Sequence, residues 1–188
     1  AELDQFPELL SRPLAGEDLA SERDNLLIIM IAFVTELRNQ FESSFELKHA
    51  PSFLCQNLTS AVSKIIWATQ LRSRCRQARD VAGRVLYGLP GLDRFLEQCD
   101  QLLEQVDAFC QDQFQSWLDG MQTEISSPSS SLRLQATGTL VDFDLDHDGD
   151  MRVHYDERLL TLMRDVRVLS EFGYRMTPEI DAIVTAGD

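Results

Sequence analysis

Leu92, Phe95, Cys99, Leu102, Val106 and Phe109 recur at intervals of 3, 4, 3, 4 and 3 residues. Only an α-helix, at about 3.6 residues per turn, brings such positions onto one face. Leu96, Leu103, Cys110, Phe114 and Trp117 widen that face. The pattern predicts a helix from 92 to about 125, roughly 50 Å long at ~1.5 Å rise per residue. An apolar ridge that continues past three heptads demands a coiled-coil-like partner. That partner is either a preceding helix of the same chain or another chain; a short connection favours an antiparallel neighbour.

The rest of the chain is organised around this element. Pro7, Pro13 and Gly16 make residues 1–16 a loop or linker. A helix is expected from about 17 to 48, with Leu27, Met30, Ile31, Val34, Leu37, Phe41 and Phe45 on one face and Ala50-Pro51 ending it. The run at 26–34, LLIIMIAFV, is too short to span a membrane, which takes about twenty residues. It reads as the buried middle of that helix. A second helix opens at Thr59 or Ser60, carries Val62, Ile65, Ile66, Thr69, Leu71, Cys75, Ala78, Ala82 and Val85, and stops at Gly88-Leu89-Pro90-Gly91. After SSPSSS at 126–131 the period changes to two. Leu132, Leu134, Leu140, Phe143 and Leu145 suggest one strand region, and Met151, Val153 and Tyr155 a second. Asp148-Gly149 between them is a hairpin-turn signal. A helix follows over about 156–172, with Leu159, Leu160, Met163, Val166 and Leu169 as its stripe and Gly173 at its end. Thr177-Pro178 opens a last helix whose apolar pattern has barely begun at Asp188, so the parent protein is expected to be longer.

Of the 188 residues, 44% are hydrophobic, a globular share that argues against wholesale disorder. The net charge is −14. Nucleic acid and anionic membrane surfaces both require a positive footprint, so neither partner class fits. The four cysteines, at 55, 75, 99 and 110, include no CxxC pair, and three lie on apolar helix faces. They read as buried thiols, consistent with a reducing compartment. No signal peptide is visible, so the sequon at Asn57 has no secretory context.

Three motifs invite a chemical reading. Asp144, Asp146, Asp148 and Gly149 occupy positions 1, 3, 5 and 6 of a calcium loop. Position 12, which must supply a bidentate carboxylate, is Tyr155, and the flanking period belongs to strands. The segment reads as a solvated hairpin tip, with a calcium-responsive adaptor as the alternative. Gly83 and Gly88 have the glycine spacing of a phosphate loop, but Leu89-Pro90 stands where Lys-Ser/Thr is needed. Those glycines read as helix termination. His49, His147 and His154 have no second ligand at zinc spacing. There is no GxSxG, and the carboxylates are dispersed, which leaves a small carboxylate hydrolase as the weakest reading. Catalytic, cofactor and metal residues are therefore all assigned as none. Arg72, Arg74, Arg76, Arg79 and Arg84 crowd the second helix; internal pairing with acidic neighbours is expected, and a dock for an acidic partner is the functional alternative. Trp67 and Trp117 read as core or interface anchors.

Two segments carry a family resemblance. In 153–180, Val153, Tyr155, Asp156, Leu159, Leu162, Arg164, Val166, Leu169, Gly173 and Pro178 resemble the pattern that closes the first tail region of dynein heavy chains. Asp165 stands where that pattern has Glu. In 65–75, Trp67, Gln70 and Leu71 resemble the tail motif W-A-R-Q-L, with Thr69 in place of Arg. LPG followed by QFQSWLDGMQTEI is most similar to the cytoplasmic dynein of intraflagellar transport.

The expected fold is mainly α: an elongated antiparallel helical bundle with one small β-hairpin before the C-terminal helices. Its parts are a linker (1–16), a long-helix bundle (17–126), a serine-rich break with the hairpin (127–155) and the start of the next bundle (156–188). The resemblance implies a noncatalytic stalk, with the family's ATPase ring elsewhere. It implies docking of a second heavy chain, intermediate and light intermediate chains, and intraflagellar transport particles, in the cytoplasm, cytoskeleton and cilium or flagellum.

Overall fold

The computed structural model describes residues 16–46, 57–127, 132, 141–145, 151–155 and 157–187. Their order is α1 (Gly16–Glu46), α2 (Ser60–Val85), α3 (Leu92–Ser126), β1 (Val141–Leu145), β2 (Met151–Tyr155), α4 (Glu157–Glu171) and α5 (Pro178–Gly187). The described chain is mainly helical. The helix boundaries agree with those read from capping and periodicity to within one or two residues. His49, Cys55, His147 and the Asp148-Gly149 turn signal lie outside the described residues.

The chain divides into two compact units, one drawing on residues 1–43 and 71–106, the other on 44–70 and 107–188. In the first unit, Leu27, Met30, Val34, Leu37 and Phe41 of α1 are buried, as are Leu71, Cys75, Ala78 and Ala82 of α2 and Leu92, Phe95, Cys99, Leu102 and Val106 of α3. Fully burying such a leucine or phenylalanine contributes about 1.5–3 kcal/mol. Cys75 meets Cys99 and Arg79 meets Asp100 across α2 and α3, so these two helices lie side by side in the unit. The connection at 86–91 uses two left-handed glycines, Gly88 (φ 78°) and Gly91 (φ 90°). A β-carbon on Gly91 would lie 3.6 Å from a methyl group of Leu27, so α1 passes close to the turn. The two glycines that mimic phosphate-loop spacing are therefore a residue of α2 and a turn.

The run at 26–34 corrects one expectation. Leu27, Met30 and Val34 are buried, whereas Ile28 (64%), Ile29 (61%) and Ile31 (37%) are exposed. Each helical residue turns the side chain by about 100°, so nine consecutive apolar residues point in every direction. Burial follows the 3–4 spacing of 27, 30, 34, 37 and 41, and Ile31 falls outside it.

The stripe of α3 also shifts. After Val106 the buried register passes through Cys110 rather than Phe109, then continues to Phe114, Trp117 and Met121. From 92 to 121 the mean step is about 3.6 residues, the period of a straight helix rather than the 3.5 of a supercoil.

In the second unit, one core joins Val62 and Ile65 of α2, Phe114, Trp117 and Met121 of α3, Leu132 of the segment after α3, Leu159, Leu162, Val166 and Leu169 of α4, and Ile180 and Ile183 of α5. The α4 stripe thus adds Leu162 as a buried residue, with half-buried Met163 packed against the core, while half-buried Leu160 is not part of it. β1 and β2 pair antiparallel, with Val141 opposite Tyr155, Phe143 opposite Val153 and Leu145 opposite Met151. Helix α4 closes with Gly173 at φ 86°. The Gly173 N–H donates to the Ser170 carbonyl at 3.0 Å and the Tyr174 N–H to the Leu169 carbonyl at 3.0 Å. This double closure satisfies carbonyls that a helix end otherwise leaves bare. It also delivers the Tyr174 ring to Phe114, 4.5 Å between centroids.

Candidate functional site

The most structured polar feature of the described residues is Asp165. It lies on the apolar face of α4, three residues after Leu162 and four before Leu169, and is only 1% exposed. One carboxylate oxygen accepts from the indole Nε1–H of Trp117 at 2.9 Å. The other accepts from the backbone N–H of Thr59 at 3.1 Å. Thr59 immediately precedes α2, and its carbonyl accepts the first helical bond, from the Ser63 N–H at 3.0 Å. In a local capping box the residue three positions into the helix reaches back to that N–H. Here the residue is Val62, which has no acceptor, and a carboxylate 106 residues away takes its place. A negative charge at a helix N-terminus also suits the helix dipole. The Thr59 hydroxyl, which the sequence suggested as the cap, is buried without a hydrogen-bond partner.

A second polar link lies beside it. Arg158 donates from Nε and Nη2 to the two carboxylate oxygens of Glu124, at 2.8 and 2.6 Å. The fork joins the start of α4 to the end of α3. Both side chains are about one-third exposed, so the pair contributes on the order of 1 kcal/mol or less.

In the first unit, the arginines of α2 resolve individually. Arg79 forms a two-bond pair with Asp100, at 2.6 and 3.3 Å. Arg74 lies 5.4 Å from the centroid of the Phe33 ring. Arg84 donates to the carbonyl of Asp80 within its own helix. Arg23 and Arg38 of α1 donate to the backbone carbonyls of Tyr87 and Gln98, at 2.6 and 3.2 Å. Arg79 thus meets the expected acidic neighbour, whereas Arg74 meets a ring and Arg84 a backbone carbonyl.

The remaining motifs gather no chemistry among the described residues. Asp144 is a strand residue opposite Arg152, and the elements either side of the aspartate-rich segment are β1 and β2. A calcium loop of the helix–loop–helix type needs helices there. Asp146 and Asp148 lie outside the described residues. Among the described residues no group of three or more His, Cys, Asp or Glu side chains could hold a metal ion. No described helix is long and apolar enough to cross a membrane. Asp165 is the residue that sequence reasoning missed. Its signal was present: the step from 162 to 165 to 169 places it on the buried face, and the buried indole of Trp117 needs an acceptor.

Long helices, polar groups that join them and apolar faces packed together make the described chain a mainly helical segment. The chain belongs to the dynein heavy chain family: the family described as "Dynein heavy chain, N-terminal region 1" matches residues 2–188. Among its relatives, cytoplasmic dynein 2 heavy chain 1 of Tripneustes gratilla is 35% identical over 95% of this chain. The Homo sapiens protein of the same name is 29% identical over 95%, and that of Caenorhabditis elegans 22% identical over 99%. The chain spans only 4% of the length of these relatives.

Proposed function

We propose that this chain is a noncatalytic segment of a dynein heavy-chain tail of the cytoplasmic dynein 2 type, serving as a structural stalk and a docking surface. The observation that supports this best is the family match over 2–188. The way Asp165, Arg158 and the apolar stripes are all consumed in joining helices agrees with it. The helices form part of an elongated antiparallel bundle, and close-packed interiors of this kind resist deformation and transmit force along their length. Any ATPase ring belongs to another part of the parent protein. The docking surface receives the second heavy chain, intermediate and light intermediate chains, and intraflagellar transport particles, in the cytoplasm and along the microtubules of a cilium or flagellum.

The test is co-purification. The immobilised 188-residue chain is mixed with the purified accessory chains and, separately, with transport particles. Retention of at least one of them is expected. Retention of none removes the docking half of the proposal and leaves the stalk.

A further inference from the structure

The side of α1 turned away from the core of the first unit carries Ile28, Ile29, Ile31 and Ala32, all exposed. Steps of one, three and four residues gather them within little more than one turn of helix. A single exposed isoleucine is ordinary, but three on neighbouring positions form a continuous apolar patch, and such patches mark contact sites.

The charges at the ends of the patch have one sign. Asp24 lies four residues before Ile28 and Glu36 four after Ala32, so an exposed carboxylate stands one turn beyond each end. The two arginines of α1 do not offset them. Arg23 donates to the Tyr87 carbonyl and Arg38 to the Gln98 carbonyl, both within the same unit. Arg74 of α2 comes to the edge of this face, over the ring of Phe33.

A second copy of α1 suits this face poorly. Antiparallel pairing about residue 30, the centre of the patch, sets each Asp24 beside the Glu36 of the other copy. Parallel pairing in register sets each acid beside itself. Either way like charges meet at both ends of the contact, which costs affinity.

Resting on the docking reading above, we infer that this face of α1 receives an amphipathic helix of a different protein, with an apolar ridge and a lysine or arginine beyond each end of it. The ridge covers Ile28, Ile29 and Ile31 in the manner of helix-to-helix recognition. The two cations, about 18 Å apart along the axis, meet Asp24 and Glu36.

The probe is a dye-labelled synthetic helix with a leucine ridge and lysines at that spacing, and its twin has glutamates in their place. Fluorescence anisotropy with the 188-residue chain should show saturable binding of the lysine helix and none of the twin. The triple variant Ile28→Gln, Ile29→Gln, Ile31→Gln keeps good helix formers in α1. It should weaken binding by roughly tenfold or more with the helical circular-dichroism signal unchanged. Asp24→Asn with Glu36→Gln should weaken binding severalfold and flatten its salt dependence. Glu97→Gln with Glu104→Gln, which neutralises two exposed acids of α3, should leave it unchanged. Absence of binding, equal binding of the twin, or equal losses from the α1 and α3 acid pairs overturns the inference. Self-association of the chain that the triple variant abolishes, read by analytical ultracentrifugation, overturns it in favour of a second copy. Accessory chains retained alongside any of these failures leave the docking reading standing, so the two fail separately.

Discussion

Asp165 shows how much one side chain can hold together. A buried carboxylate is costly unless its lone pairs are used, and here the Trp117 indole and the Thr59 amide use them. Removing the carboxylate strands the buried indole N–H and the part-buried Thr59 amide. Asp165→Ala should therefore cost about 3 kcal/mol in urea unfolding, and Trp117→Phe about 2. Because the two residues share one bond, the double variant should cost at least ~1 kcal/mol less than the sum, as read by a double-mutant cycle. Strict additivity would show that the bond seen at 2.9 Å contributes nothing. The Asp side chain was legible as a position on the apolar face, but its partners were not. Nothing local links residue 165 to residue 59, since the two meet only once α4 and the start of α2 share a core.

Helix α1 illustrates the limit of composition within one element. Its most apolar stretch, 26–34, is split between core and solvent, because burial depends on angle around the axis and not on local hydropathy. Leu37, fully buried, and Ile29, 61% exposed, separate the two effects. Leu37→Ala should cost about 3 kcal/mol by chemical denaturation. Ile29→Asn should stay within about 0.5 kcal/mol. Equal losses would mean that Ile29 is covered in solution. The same element-level logic explains why α3 was read nearly end to end from its stripe. The 3–4 alternation set the face through Val106, and the later steps of four were a drift that only the positions of neighbouring side chains resolve.

For the whole molecule, charge dominates. With 31 acidic against 17 basic residues the folded chain repels itself. Screening acts on exposed charges at separations beyond about 8–10 Å in moderate salt. Sodium chloride should therefore raise the thermal midpoint. Calcium and magnesium chlorides, compared at equal ionic strength, should raise it equally, as scanning calorimetry or circular dichroism will read. A larger rise with calcium would revive the calcium-responsive adaptor at Asp144, Asp146 and Asp148, since only a coordinating loop distinguishes the two ions by size and ligand number.

The sequence by itself determined the helices: their extent, the cap at Gly173, the start at Pro178, the turn at 89–91 and the family. Each of these depends on contacts within a few residues or on a pattern repeated along one axis. Tertiary structure alone decided which side of α1 is wet, that α3 buries Cys110 rather than Phe109, and that Val62, Trp117, Leu132 and Leu162 share a single core. It also decided the pairings of Asp165 with Thr59 and of Cys75 with Cys99. Those choices depend on which faces meet across long separations in the chain, and periodicity, which describes each helix alone, carries no record of its partner.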